Sequence, residues 1–131
     1  MPRISIDQAI AAAELQIQAL TNDFPDHAAA MIQEIDTHAA AQDWDAIRVI
    51  VHDLKGQAAT VGWPILGEMA RSLGDCLETA TTQLYADAIR LHVAAMRLCL
   101  KAKITEAKGE GARLLNDLQA LATNLKKRGN A

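Results

Sequence analysis

Three chemically distinct residues lie close together in residues 49–64, VIVHDLKGQAATVGWP, within a run that otherwise has the composition of a helix. His52 supplies an imidazole, which acts as a nucleophile when it is neutral. Lys55 follows one helical turn later, and its ammonium group is able to neutralise an anion held on that imidazole. Gly56 comes next, although glycine inside a helix costs about 1 kcal/mol relative to alanine. This pattern indicates a histidine that receives an anionic group.

The helix predicted around His52 has an apolar seam, and the histidine lies off that seam. The seam residues, at alternating steps of three and four, are Trp44, Ile47, Val51, Leu54, Ala58 and Val61. The residues three and four positions from His52, which share its face, are Arg48, Val49, Lys55 and Gly56. Tight packing would explain a glycine on the seam. A glycine on the exposed flank is better explained by a partner that approaches His52 closely.

Capping residues and helix breakers predict about six helices along the chain. Ser5 and Gln8 have the spacing of a capping box, TNDFP is expected to end the first helix, and Asp43 is expected to cap the third. Gly62 in GWP suits the C-terminal end of the third helix. The predicted ranges are about 5–20, 25–41, 44–61, 64–80, 83–108 and 112–127. We therefore expect an all-α protein.

Composition supports one helical domain over residues 1–131, with a core bundle over about residues 25–108. Half of the residues are hydrophobic, 3% are aromatic, and the chain has 7 Gly and 3 Pro. The net charge of −3 argues against nucleic-acid binding. Cys76 and Cys99 are expected to be buried, reduced thiols. With no signal peptide and no run of membrane-spanning length, we expect a cytoplasmic protein without a membrane partner.

The segment HDLKGQAATVG resembles the phosphoacceptor motif of histidine-containing phosphotransfer (HPt) domains, H-x-L-K-G with a further glycine six residues on. The residues that match in order are His52, Leu54, Lys55, Gly56 and Gly62. LGEMARSLGDCLE, at residues 66–78, is similar to the next helix of that family, and DWDAIRVIV, at residues 43–51, is similar to its lead into the motif. The resemblance covers roughly residues 25–100.

The resemblance implies an antiparallel four-helix bundle made from predicted helices two to five. The N-terminal helix would cap one end, and the last helix would be an addition to the minimal domain. His52 would accept a phosphoryl group from a receiver-domain aspartate or a kinase and pass it to another receiver. Lys55 would stabilise that group, and Gly56 would leave room for the receiver. Gln57 departs from the family pattern, which often has a small hydroxyl residue there.

The resemblance also implies the partners and the absence of a cofactor. The partners would be response-regulator receiver domains, with a hybrid histidine kinase as a further candidate. A receiver would bring the Mg²⁺, so no cofactor and no metal site is expected on this chain. The sequence has no P-loop and no glycine-rich nucleotide loop, which favours a phosphotransfer carrier over an ATP-dependent kinase. A bundle complete within one chain favours a monomer, although the last helix offers a possible dimer contact.

A docking surface for the receiver is expected around His52. Its candidate residues are Arg48, Val49, Gln57 and Ala59 on the third predicted helix, with Met31 on the second. Met31 also fits an apolar stripe with Ala28 and Ile35, which would place it in the core instead. His92 falls near an apolar face and is expected to be structural. The last helix is expected either to fold back on the bundle or to bind another protein.

Two other functions remain open at this point. A helical adaptor or inhibitor would dock on receivers or kinases without carrying phosphate, but such a protein would not need His52. The phosphoacceptor part of a histidine kinase usually has a proline soon after its histidine. Here the first proline after His52 is Pro64, so this second alternative is the weaker one.

Overall fold

The computed structural model describes residues 5–129, apart from the side chains of residues 19–22, and this part of the chain is helical without a β-strand. The elements are α1 (Ile6–Ala40), α2 (Trp44–Thr60), α3 (Pro64–Thr79), a 3₁₀ turn (Thr82–Leu84), α4 (Tyr85–Ala102) and α5 (Glu110–Gly129). None of these helices is long and apolar enough to span a membrane. The prediction of an all-α fold is confirmed.

Four of the helices enclose the main core. α1 packs against α2 and α4, and α3 packs against the same two helices, so the four form a closed ring. The largest fully buried side chains of this core include Ile32, Ile47, Leu54, Leu73 and Met96. α5 packs outside the ring against α3 and α4. Its buried hydrophobic residues are Leu115, Leu118, Ala122 and Leu125. The last helix therefore folds back on the bundle.

The predicted break at TNDFP is wrong, because α1 continues through Pro25 as a single helix of 35 residues. Proline lacks a backbone N–H, and inside a helix it costs about 3 kcal/mol or more. Packing on both sides of the proline offsets that cost, since Phe24 is 3% exposed and Ala28 is fully buried. A local breaker signal was thus overridden by burial of the helix face on which these residues lie.

The first part of α1 does not cap an end of the bundle, which corrects the expected architecture. Every residue from Ser5 to Gln18 is exposed. The segment extends from the bundle as a continuation of α1, because no loop allows it to turn back over the core.

The ends of α2 follow the sequence signals closely. Asp43 accepts a hydrogen bond from the backbone N–H of Ala46 at 3.2 Å and caps the start of the helix. After Thr60, Gly62 adopts a φ of +87°, a conformation that residues with a Cβ rarely adopt. Pro64 then begins α3. These signals fix the length of α2 and hence the position of His52 along it.

The predicted end of the fifth helix, near residue 108, is wrong because α4 ends at Ala102. Lys103 takes a left-handed conformation with φ +56°, and the N–H of Ile104 donates to the Cys99 carbonyl at 2.9 Å. This is the pattern of a Schellman-type helix end. The following loop is tied to α3, since the Ile65 N–H donates to the Thr105 carbonyl at 3.0 Å. The left-handed residue that ends the helix is a lysine, whereas glycine is usual at this position.

His92 is fully buried in the core, as expected for a structural histidine. Its Nδ1–H donates to the Ala88 carbonyl at 2.7 Å, and its Nε2 lies 2.9 Å from the Ser72 hydroxyl, which donates to it when the ring is neutral. Burial lowers the pKa of His92 below its ordinary value of 6.5, and the nearby charge of Lys126 lowers it further, against the raising effect of the Ala88 carbonyl. The folded protein therefore favours a neutral ring.

We predict that this burial makes the protein less stable in mild acid. The pKa of His92 is lower in the folded state than in the unfolded state. Below about pH 6.5 the unfolded chain therefore binds a proton that the folded protein does not bind, and the free energy of unfolding falls as the pH drops. The effect of one proton is at most about 1.4 kcal/mol per pH unit. Urea unfolding at pH 7.5 and 5.5 measures this loss. His92→Gln should lower stability at both pH values but lose less between them; an equal loss in both proteins would contradict the assignment.

Candidate functional site

His52 is the ninth of the 17 residues of α2, and its position is held by the buried seam beneath it. Val51 is 3% exposed and Leu54 is fully buried, so the helix cannot rotate without exposing core side chains. His52 and Lys55 are both exposed. The packing of α2 therefore holds the imidazole and the ammonium group on the outer side of the bundle, one turn apart.

Both side chains are available to a ligand. Within the described part of the chain, neither His52 nor Lys55 makes a hydrogen bond or an ion pair, whereas several other cations are engaged. Arg97, for example, lies 2.8 Å from an Asp36 carboxylate oxygen. The ammonium group of Lys55 is thus able to bind an anion at His52 without first breaking an internal ion pair.

Gly56 has no packing role inside the protein. A Cβ built at this position would meet nothing within 4 Å, and the residue is exposed. The helix therefore accepts the cost of an interior glycine without any internal contact that requires it. The expectation that packing within the domain does not explain Gly56 is confirmed.

Gly67 on α3, which was not among the predicted site residues, differs from Gly56 because it does lie against another helix. A Cβ at Gly67 would lie 3.4 Å from the Lys55 carbonyl oxygen and 3.6 Å from the Ala59 nitrogen. The backbones of α2 and α3 therefore approach closely beneath the segment that carries Lys55. Small residues on α3 provide this contact, and their spacing of three and four to Ala70 and Gly74 is the signal that was overlooked.

His52 lies between two grooves, because it lines both of them. The α1–α2 groove has a volume of about 660 Å³, and its other residues include Phe24, His27 and Gly56. The α2–α3 groove has a volume of about 270 Å³ and also contains Lys55 and Arg71. The imidazole is thus open to solvent on the side of α1 and on the side of α3.

Arg71 is a second cation near the site that the sequence analysis missed. It shares the α2–α3 groove with His52 and Lys55, and its guanidinium is 4.0 Å from the Glu68 carboxylate, at the limit of an ion pair. The side chain is 68% exposed, so it is free to reorient towards an anion. It lies on the next helix, and no local spacing in the sequence relates it to His52.

Arg48, in contrast, is not a free cation. Its guanidinium donates to the Asp45 carboxylate at 2.8 Å, to the Leu77 carbonyl at 3.0 Å and to the Tyr85 hydroxyl at 3.1 Å. These bonds connect α2 to α3 and α4. The guanidinium of Arg48 is therefore engaged within the protein, where it holds α2 against α3 and α4 and is not open to a docking partner.

The other docking candidates divide between surface and core. Val49 is 61% exposed, and Gln57 and Ala59 are exposed on the same helix. Met31 is 8% exposed and belongs to the core cluster. It is therefore a core residue, as the apolar stripe indicated, and it is not part of the docking surface. Gln57 is additionally tied to α1, because its side-chain carbonyl lies 2.9 Å from Nε2 of His27.

Comparison with known protein families gives one match. The family model for the Hpt domain matches residues 17–127, which include all of α2 to α4 and most of α1 and α5. No curated protein and no solved structure gives a significant match. Hpt domains are phosphotransfer carriers of phosphorelays rather than kinases. With the match covering most of its length and an all-helical fold around an exposed histidine, the chain belongs to the Hpt domain family.

Proposed function

We propose that His52 is the phosphoacceptor, and that the protein takes a phosphoryl group from the aspartyl phosphate of one receiver domain and passes it to the aspartate of another. The observation that carries this proposal is the arrangement on α2. An exposed histidine and a lysine without an internal partner lie one turn apart, beside a glycine at which an added Cβ would meet nothing within 4 Å.

The chemistry is a phosphoryl transfer from an aspartyl phosphate to an imidazole nitrogen, in which positioning and charge neutralisation supply most of the catalysis. The unprotonated imidazole nitrogen of His52 forms the N–P bond while the aspartyl O–P bond breaks, and the aspartate leaves as a carboxylate. The second imidazole nitrogen can release its proton to water. Lys55 neutralises charge on the phosphoryl oxygens, and Arg71 is placed to assist from α3. The receiver brings the Mg²⁺ ion.

The surface around His52 suits an apolar partner. Val49 lies one turn before His52 and is 61% exposed, so a large apolar side chain beside the imidazole is open to a partner. On the other side, Gly56 and Ala59 are small and exposed. A receiver is thus able to bring its aspartate close to the imidazole while covering Val49.

The proposal is tested by mixing the protein with a panel of receiver domains charged beforehand by a small-molecule phosphodonor. The expected product carries an acid-labile, alkali-stable label on this protein, as phosphohistidine does. If the protein stays folded and binds a receiver but takes no label from any of them, the proposal is wrong, and docking without phosphate would be its function.

We predict that Lys55→Ala slows phosphoryl transfer by about ten- to a hundredfold, the range for losing one charge-assisted hydrogen bond. Rapid-quench kinetics with a charged receiver measures the rate. Lys55→Arg should retain most of the rate because the charge is kept, and Lys101→Ala removes an exposed lysine from α4 as a matched control. Equal rates for Lys55→Ala and Lys101→Ala would remove Lys55 from the mechanism.

A further inference from the structure

The first eleven residues of α1, residues 6–16, extend beyond the bundle and are here named the N-terminal arm. All of them are exposed. The arm begins at a complete capping box, in which the Gln8 N–H donates to the Ser5 hydroxyl oxygen at 3.1 Å and the Ser5 N–H donates to the Gln8 side-chain oxygen at 3.0 Å. The sequence therefore specifies where this helix starts.

The arm is helical without support from the bundle. Four of its residues are alanine, the best helix former. It also continues a helix that is anchored in the core further along, so each arm residue adds to an existing helix without a new nucleation cost. The Hpt family match begins at residue 17. The arm is thus an ordered addition to the phosphotransfer domain.

One side of the arm is an apolar stripe. Ile6, Ile10 and Ala13 follow each other at steps of four and three, and the two isoleucines are 78% and 51% exposed. Phe24 lies eighteen residues after Ile6, which is five helical turns, so it shares their face. Phe24 is buried and lines the α1–α2 groove that also contains His52. The stripe therefore lies on the side of α1 that faces this groove.

The stripe is flanked by acidic residues. Asp7 and Glu14 lie seven positions apart on one side of it, and Asp23 lies on the other side, nearer the bundle. Residues 6–26 contain no lysine or arginine. The arm thus offers a surface that is apolar along its centre and negatively charged beside it, which is complementary to a partner with apolar and basic side chains.

A second copy of the arm is a poor occupant for this surface. Two arms would bring acidic residues of the same sign together, without basic residues to pair with them. The exposed stripe of one arm is on the order of 100–200 Å² of apolar side chain. Two such stripes fall well below the ~1,200 Å² that a stable interface usually buries. A partner already held elsewhere on the protein does not need so large an area.

We propose that the N-terminal arm is a second contact site for the receiver domain that docks at His52. It would bind apolar side chains of the receiver that have lysine or arginine beside them. This inference rests on the proposed function. The α1–α2 groove leads from His52 to Asp23 and Phe24, so a receiver placed over the histidine lies next to the point where the arm leaves the bundle.

The arm would select among receivers and take no part in the chemistry. Once a receiver is bound at His52, contact with the arm is intramolecular, and even a small apolar contact then adds to affinity. Removing that contact should raise the KM for the receiver and leave the maximal transfer rate unchanged, because the arm carries no group that reaches the imidazole.

The test compares two faces of the arm in the full chain. The double variant Ile6→Ser/Ile10→Ser removes the stripe, whereas Leu15→Ser changes an exposed residue, 67% accessible, that lies two and a half turns from Ile6 on the opposite face. With the receiver that transfers fastest to the wild type, the double variant should raise KM by about tenfold or more, and Leu15→Ser should leave it unchanged. Asp7→Lys/Glu14→Lys should also raise KM, most clearly at low salt.

Each contrary outcome has a distinct meaning. If the wild type is labelled normally and the double variant shows the same KM, the arm proposal is wrong while the proposed function stands. If no receiver labels the wild type, the proposed function fails and the arm proposal fails with it. Sedimentation of the wild type and the double variant provides the last check, since a dimer that the double variant loses would make a second copy the occupant of the stripe.

Discussion

Replacing His52 with glutamine should abolish phosphoryl transfer to this protein and leave its fold and its binding to receivers unchanged. Glutamine lacks a nucleophilic nitrogen, so no N–P bond can form at this position. His52 is exposed and makes no hydrogen bond or ion pair within the described chain, and glutamine is a good helix former. The free energy of unfolding should therefore change by no more than about 0.5 kcal/mol.

This variant is measured with the same charged receivers and with a binding titration. Label should fall below detection, while the affinity for an uncharged receiver stays within a few-fold of the wild type. His27→Gln is the matched control, because His27 is also exposed and lines the same α1–α2 groove. Undiminished labelling of His52→Gln would place the phosphoryl group on another residue and would overturn the site assignment.

Substitutions of Gly56 should affect the stability of the protein and its rate of phosphoryl transfer differently. Gly56→Ala is expected to raise the free energy of unfolding by about 0.5–1 kcal/mol, because alanine is the better helix residue and its Cβ would meet nothing within 4 Å. Gly56→Gln is expected to remain folded as well, yet to slow transfer from a receiver by a hundredfold or more, because its longer side chain occupies the space beside the imidazole. Urea unfolding and rapid-quench kinetics measure the two effects.

The control for this prediction is Ala59→Gln, which adds a comparable side chain to an exposed position almost one turn further from His52. It should slow transfer less than Gly56→Gln does. If Gly56→Gln transfers phosphate at the wild-type rate, close approach at Gly56 is not required. Function would then not explain why α2 contains a destabilising glycine.

The helix that carries the site was predictable from sequence because its signals are local. Asp43 caps its start, Gly62 and Pro64 follow its end, and the seam through Val51 and Leu54 sets its orientation. The phase of that seam places His52 outside. The sequence signals that indicate the position of a residue on one helix thus lie within about a turn or two of it in the chain.

The sequence did not predict features that depend on contacts between helices. The segment TNDFP was expected to separate two helices, but burial of Phe24 and Ala28 holds α1 together through Pro25. Arg71 enters the site only because α3 packs beside α2, and Met31 leaves the expected surface because α1 turns it inwards. Tertiary packing decides each of these cases, and no single stretch of sequence contains it.

The most direct test of the account is a relay experiment with residue mapping. Labelled protein is isolated after reaction with a charged receiver, the modified residue is located by fragmentation under neutral conditions, and a second, uncharged receiver is then added. The account predicts that the phosphoryl group is on the imidazole of His52 and moves to the aspartate of the second receiver. Label on another side chain, or label on His52 that no receiver removes, would contradict the central claim that this histidine passes phosphate between receivers.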